Sequence, residues 1–214
     1  WIGTCIGNVS YWVLIKSTLG AFFPVFGDGN TVMAIVVASI GIWLFHFMIL
    51  RGVQQAAAIN MVVTIAKIVP IVVFIVILIF AFKADLFRAN FWGGEGMPPA
   101  SLFDQIRATM LVTVFVFLGI EGASVYSRFA KERSDVGKAT IFGFLGVTTL
   151  MVLVTMLPYA VLARADIAGM RQPSMATVLE AVVGHWGAIF VSVGLIVSVL
   201  GAYLAWSLIC AEVL

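Results

Sequence analysis

The sequence predicts an all-α integral membrane protein, and three observations predict it. Hydrophobic residues make up 63% of the 214-residue chain and charged residues only 10%. Soluble domains carry roughly 45–50% apolar and about 25% charged residues, so this surface is not built for water. The apolar residues fall into runs of the length a bilayer demands, about 20 residues for a helix. Of the 12 Lys and Arg residues, only Lys16 and Lys67 lie inside those runs.

Six spans can be placed, at about 1–23, 31–50, 56–82, 109–127, 139–163 and 186–214, within a single transmembrane domain over 1–214. The first ends at Pro24 and the turn-like "FGDGN"; the second closes at Arg51-Gly52. The third carries Lys67 and Pro70 in "TIAKIVPIVVF". A longer polar segment follows, "KADLFRANFWGGEGMPPASLFDQIRA", rich in Gly, Pro and the aromatics that suit a membrane interface. Within it Ser101 stands three before Asp104, the spacing of a helix start. The fourth span leads through "RFAKERSDVGK" to the fifth, and a short surface helix is expected from near Ser174. The sixth holds "VSVLGAYLAWSLICAEVL". Because the chain starts at Trp1 and stops at Val213–Leu214 within apolar runs, it is expected to be part of a longer membrane protein.

Lys and Arg in short loops set orientation. Arg51, Arg128, Lys131, Arg133 and Lys138 fall on one side, and Lys83, Arg88, Arg107, Arg164 and Arg171 on the other. The numbers tie, but the first group is concentrated in two short connectors. "RFAKERSDVGK" is therefore placed in the cytoplasm.

Charge and cysteine usage exclude several classes. The net charge of +2 is scattered, with no basic stripe for nucleic acid. Cys5 and Cys210 lie far apart in apolar runs, so neither a metal site nor a disulfide framework is expected. No cofactor motif stands out.

The functional signal is the set of ionisable residues inside spans, since a charge at the bilayer centre costs about 2.5–3.5 kcal/mol on insertion scales. Glu121 lies in "FVFLGIEGASVYSRF" between Gly119 and Gly122. Each glycine weakens a helix interior by about 1 kcal/mol relative to Ala. A break there would bare backbone groups, which is tolerable at membrane depth only beside a cavity. Broken helices at the midplane are how many transporters build substrate sites, and a carboxylate at the break favours a cation. Small residues for close helix packing would explain the glycines but not the charge.

Lys67 lies too deep to snorkel, and its ammonium needs carbonyl or carboxylate partners. Lys16, beside Ser17 and Thr18, could reach water or face the interior; both readings stay open. His46 and His185 sit at span ends and read as interfacial. Trp206, one turn past small residues in "LGAYLAW", could offer a ring face to a guanidinium or ammonium group.

The stretches "WIGTCIGNVSYW", "RGVQQAAAINMVVTIAKIVPIVVF", "MLVTVFVFLGIEGASVYS" and "HWGAIFVSVGLIVSVLGAYLAWSLICAE" closely resemble bacterial arginine/ornithine antiporters. These belong to the basic amino acid/polyamine antiporter family of the amino acid–polyamine–organocation superfamily. The resemblance implies a LeuT-type inverted-repeat fold in which these spans are the third to eighth helices. It also implies that Asn8, with Cys5, Thr4 and Tyr11, forms the third-helix wall of a substrate site. Phe115, Leu118, Gly119 and Glu121 match the broken sixth helix. Trp206 matches an eighth-helix aromatic beside the substrate's stem, and Lys67 a fifth-helix lysine standing in for a sodium ion. Many members of that family carry Trp where this chain has Phe115. The first helix of the fold, which binds the substrate's carboxylate and amino group, lies outside these residues.

The implied activity is exchange of arginine inward for ornithine outward across the bacterial cytoplasmic (inner) membrane, independent of sodium. Lysine uptake and arginine/agmatine exchange are the neighbouring alternatives. The partners are then cationic amino acids and the lipid bilayer, with a homodimer left open. A membrane enzyme would need an acid–base set at one depth, and Glu121 has no evident histidine partner. A channel, or a retinal-type receptor using Lys67, fits poorly with the expected break at "GIEG".

Overall fold

The computed structural model describes residues 2–51, 53–91, 102–117, 119, 127, 130, 132–170 and 173–212. Among the described residues all regular structure is helical. In chain order the helices are α1 (Ile2–Gly20), α2 (Val32–Leu50), α3 (Val53–Phe80), α4 (Ala84–Phe91), α5 (Leu102–Val116), α6 (Arg133–Met156), α7 (Arg164–Ala168), α8 (Ser174–Val183) and α9 (His185–Glu212). They form two compact units, one of Trp1–Phe80 with Ile167–Leu214 and one of Ala81–Asp166.

Four stretches are long and apolar enough to cross a membrane: Val32–Leu50, Val63–Phe80, Ser134–Ala160 and His185–Ala211. The chain is a multi-pass membrane protein. Six spans were expected, and the other two helices differ for physical reasons. With 19 residues α1 has the length, but Asn8, Ser10, Lys16, Ser17 and Thr18 dilute its apolar character. With 15 residues α5 is short of the length a span needs. Large apolar side chains on α2, including Ile40, Trp43 and Phe47, point outward and exposed, as they must on a helix solvated by lipid.

In the first unit α9 is the centre, packed by α1, α3 and α8. Trp12 of α1 is buried and meets Tyr203 of α9 and Phe45 of α2 edge-on, at 5.6 and 6.3 Å between ring centroids. Edge-to-face contact suits rings with negative faces and positive rims. α2 reaches this ring through Gly41, where a Cβ would collide with the indole. A stripe of glycines along α9 does the same for its neighbours. Gly187 faces Leu179 and Val183 of α8, Gly194 faces Pro70 of α3, and Gly201 faces Val63 of α3. They recur one heptad apart, and at each the missing Cβ lets a neighbouring helix come close.

The turn between α1 and α2 rests on local chemistry. Thr31 caps α2, its hydroxyl accepting from the Ala34 N–H at 3.3 Å and donating to the Val25 carbonyl at 2.8 Å.

In the second unit the buried Asn90 at the end of α4 holds the chain after α6. Its amide donates to the carbonyls of Tyr159 (2.7 Å) and Leu162 (3.0 Å), and its Oδ1 accepts from the Arg164 N–H at 3.1 Å. Phe117, just beyond α5, meets Phe144 of α6 at 5.4 Å. α5 begins at Leu102, earlier than the expected 109, with Asp104 in the first turn where a carboxylate suits the helix dipole. It ends at Val116 rather than near 127.

Candidate functional site

The predicted residues fall in both units. Thr4, Cys5, Asn8, Tyr11, Lys67 and Trp206 belong to the first; Phe115, Leu118, Gly119 and Glu121 lie in the sequence range of the second. Leu118 and Glu121 lie outside the described residues, as do the side chains of Thr4 and Phe115.

On α1, Asn8 and Tyr11 are three residues apart and so share a face. Tyr11 is half-buried and packs on the cluster around Trp12. Cys5 is an exposed free thiol. Asn8 reaches across to α9, its Nδ2 donating to the Ser207 hydroxyl at 3.3 Å. The Ser207 hydroxyl in turn donates to the Tyr203 carbonyl at 2.7 Å. Asn8 Oδ1 is buried and lacks a hydrogen-bond partner among the described residues, and so does the Trp12 Nε1 one turn further along α1. Buried polar atoms in folded proteins nearly always find partners, and here an acceptor and a donor stand open on adjacent turns of α1. Trp206, half-buried, is the neighbour of Ser207 in the chain. The structure therefore brings Asn8 of α1 to Ser207, the residue after Trp206 on α9.

Ser207 is the residue that sequence reasoning missed. Its signal was present: a hydroxyl within an apolar helix, next to an aromatic already singled out.

Lys67 lies half-buried on α3 and lines a cavity of about 270 Å³. Leu14 of α1, Pro70 of α3, and Gly194 and Ser198 of α9 line it too, whereas Asn8, Tyr11 and Trp206 do not. Pro70 inside α3 deprives the Ala66 carbonyl of its usual N–H partner. An acceptor is thus freed one residue from Lys67.

At the other predicted centre the last turn of α5 tightens, with the Phe117 N–H donating to the Val114 carbonyl at 3.2 Å. Gly119 has φ of 105°, in the region L side chains avoid. The helix stops before the carboxylate. A second cavity, about 400 Å³, lies between α4, α5 and the turn after α6, lined by Phe87, Phe91, Tyr159 and Arg164. It contains no predicted site residue. Among the described residues no group of His, Cys, Asp or Glu could hold a metal ion. His185 meets Glu180 at 3.1 Å, both outside the apolar runs' interior.

A multi-pass helical membrane protein that turns amide, hydroxyl and ammonium groups toward its own packing seams is the class these features define. Comparison with known proteins narrows it. The amino acid permease family matches residues 1–214, and the chain belongs to that family. It is 55% identical, over its whole length, to the arginine/ornithine antiporter of Pseudomonas aeruginosa, of which it covers 44%. It is 45% identical to an arginine/agmatine antiporter of Chlamydia caviae, with 100% of the chain and 45% of that protein covered. The L-lysine transport protein of Corynebacterium glutamicum is also 45% identical, with 99% of the chain and 42% of that protein covered. The chain spans about half the length of the curated relatives it matches or slightly less.

Proposed function

We propose that this chain supplies the third to eighth helices of a LeuT-type carrier that exchanges cationic amino acids across the bacterial cytoplasmic membrane by alternating access. Arginine enters and ornithine leaves. The observation that carries this reading is the 55% identity, along the entire chain, to an arginine/ornithine antiporter. Thr4, Cys5, Asn8 and Tyr11 would wall the site from α1 and Trp206 from α9. Phe115, Leu118, Gly119 and Glu121 would close it at the interrupted helix, where a carboxylate pairs with the solute's positive charge. Lys67 would be the fixed cation that makes sodium unnecessary.

The energetics suit an exchanger. Moving one charge across 100 mV is worth about 2.3 kcal/mol. Swapping two monovalent cations moves no net charge, so the amino acid gradients alone drive the cycle.

Arginine/agmatine exchange is a second reading, favoured by the relative of that name. Agmatine lacks the carboxylate and carries two positive charges, so that exchange moves one net charge per cycle. An imposed potential of 100 mV would then bias it by about 50-fold. The deciding experiment is counterflow with the full-length protein in liposomes. Vesicles are loaded in turn with ornithine, lysine, agmatine or nothing, against labelled arginine outside, with and without a potential. Uptake with internal ornithine, none from empty vesicles and no response to potential is the expected result. Uptake into empty vesicles would overturn obligatory exchange.

A further inference from the structure

The geometry points to Ser207 as a positioning residue that fixes which way the Asn8 amide faces, and thereby selects a donor-only cationic group over a neutral one. This rests on the exchanger reading above and deepens it.

A serine hydroxyl carries one hydrogen. In Ser207 that hydrogen is committed to the Tyr203 carbonyl at 2.7 Å, because a carbonyl can only accept. What remains on Ser207 Oγ is acceptor capacity. The side chain facing it, Asn8, lies 3.3 Å away and must therefore present its NH2. The opposite orientation would set two acceptor oxygens against each other. The polarity thus runs from the backbone of α9 through the hydroxyl to the amide and ends on Asn8 Oδ1. That oxygen is buried and has no partner among the described residues. It is an acceptor whose orientation is held by a neighbour that the solute never needs to touch.

The consequence is chemical discrimination. A guanidinium or ammonium group offers only donors, which the fixed oxygen accepts. A ureido group of the same shape, as in citrulline, offers a carbonyl oxygen as well as N–H groups. An amide free to flip could meet either side of the ureido group. Held by Ser207 it accepts only from N–H, so citrulline loses the orientations that turn its oxygen toward Asn8, while every edge of the guanidinium suits it. A site built to hydrogen-bond in one sense rejects the isostere with the wrong polarity more strongly than a plain pocket does.

The test uses the full-length protein in liposomes and reads arginine counterflow against ornithine, with citrulline as competitor. Ser207→Ala is expected to raise the half-saturation for arginine about five- to tenfold while leaving the maximal rate within about twofold. It is also expected to shrink the preference for arginine over citrulline by about tenfold. Ser207→Thr, which keeps a hydroxyl able to bond the same carbonyl, should restore both values. Unchanged half-saturation and preference in Ser207→Ala, with working wild-type exchange, would overturn the assignment alone. A Ser207→Ala variant that lost maximal rate and thermal stability together, with preference intact, would mark a packing role and overturn it as well. Wild-type vesicles that exchange no cationic amino acid would instead remove the exchanger reading and this assignment with it.

Discussion

Gly194 of α9 lies so close to Pro70 of α3 that a Cβ at 194 would overlap the proline ring. A proline ring cannot swing aside as a flexible side chain would, so the overlap must be relieved by moving a helix. Overpacking of this kind costs about 1–3 kcal/mol, against roughly 1 kcal/mol gained from alanine's better helix propensity. Gly194→Ala should therefore lower the melting temperature of the purified protein in detergent. Gly143 of α6 has nothing within 4 Å of its would-be Cβ. Gly143→Ala should leave stability unchanged or raise it. Shifts of the same sign at both positions would contradict the packing described.

These glycines illustrate what could be read beforehand and what could not. The helices α2, α3, α6 and α9 follow from apolar runs, and α8 starts at Ser174 as its composition suggested. The end of α5 at Val116 and the positive φ of Gly119 agree with the helix-weakening expected of that glycine, while Glu121 and Gly122 lie outside the described residues. α4 was not legible. Its eight residues sit in a polar segment whose glycines and prolines read as loop. The start of α5 at Leu102 agrees with the Ser101–Asp104 spacing, although residues 102–108 are too polar to count toward a span. Partners were the least legible of all. Asn8 and Ser207 are 199 positions apart, and no local pattern couples them.

Asn90 offers a test of the second unit. Its amide NH2 faces two carbonyls, of Tyr159 and Leu162, while its oxygen takes the Arg164 N–H. Asn90→Asp would put a charged acceptor against both carbonyls in a buried place. The expected loss is about 2–4 kcal/mol, from breaking two bonds and leaving their acceptors unsatisfied. Asn90→Ala should cost less, because it removes the donor without adding repulsion. Thermal unfolding ranks the two variants, and amide exchange at Arg164 should accelerate most in Asn90→Ala, which removes the oxygen that accepts its N–H. An aspartate variant as stable as wild type would refute this bonding pattern.

Glu121 follows two positions after Gly119 in the sequence, and Gly119 has a positive φ. Paired with a cationic solute on the proposed reading, its carboxylate works only when ionised, so protonation should weaken exchange. Glu121→Gln removes the charge at every pH. The half-saturation for arginine should rise about 10- to 100-fold, the range of a charged hydrogen bond. The acid limb of the pH profile should flatten. Counterflow measured from acid to neutral pH decides it, and a variant with the wild-type profile would remove Glu121 from the site.

Lys67 supplies the last prediction. Lys67 lines a cavity together with Ser198, and Pro70 leaves the carbonyl of Ala66, the residue before Lys67, without its helical N–H partner. A charge in such surroundings needs acceptors, and on the proposed reading the lysine takes the place of a metal cation there. Exchange in sodium-free medium, with choline as the replacement, should stay within about twofold of that in sodium. Lys67→Ala empties the position and leaves the acceptors without a cation; exchange should fall at least about tenfold. Sodium is small enough to enter the vacated space and should restore part of the rate, while choline should not. Lys67→Met fills the volume without the charge, so sodium should not rescue it. A wild-type protein that stops without sodium would eliminate the lysine's role, and equal sodium responses in the two variants would show that volume rather than charge governs this cavity.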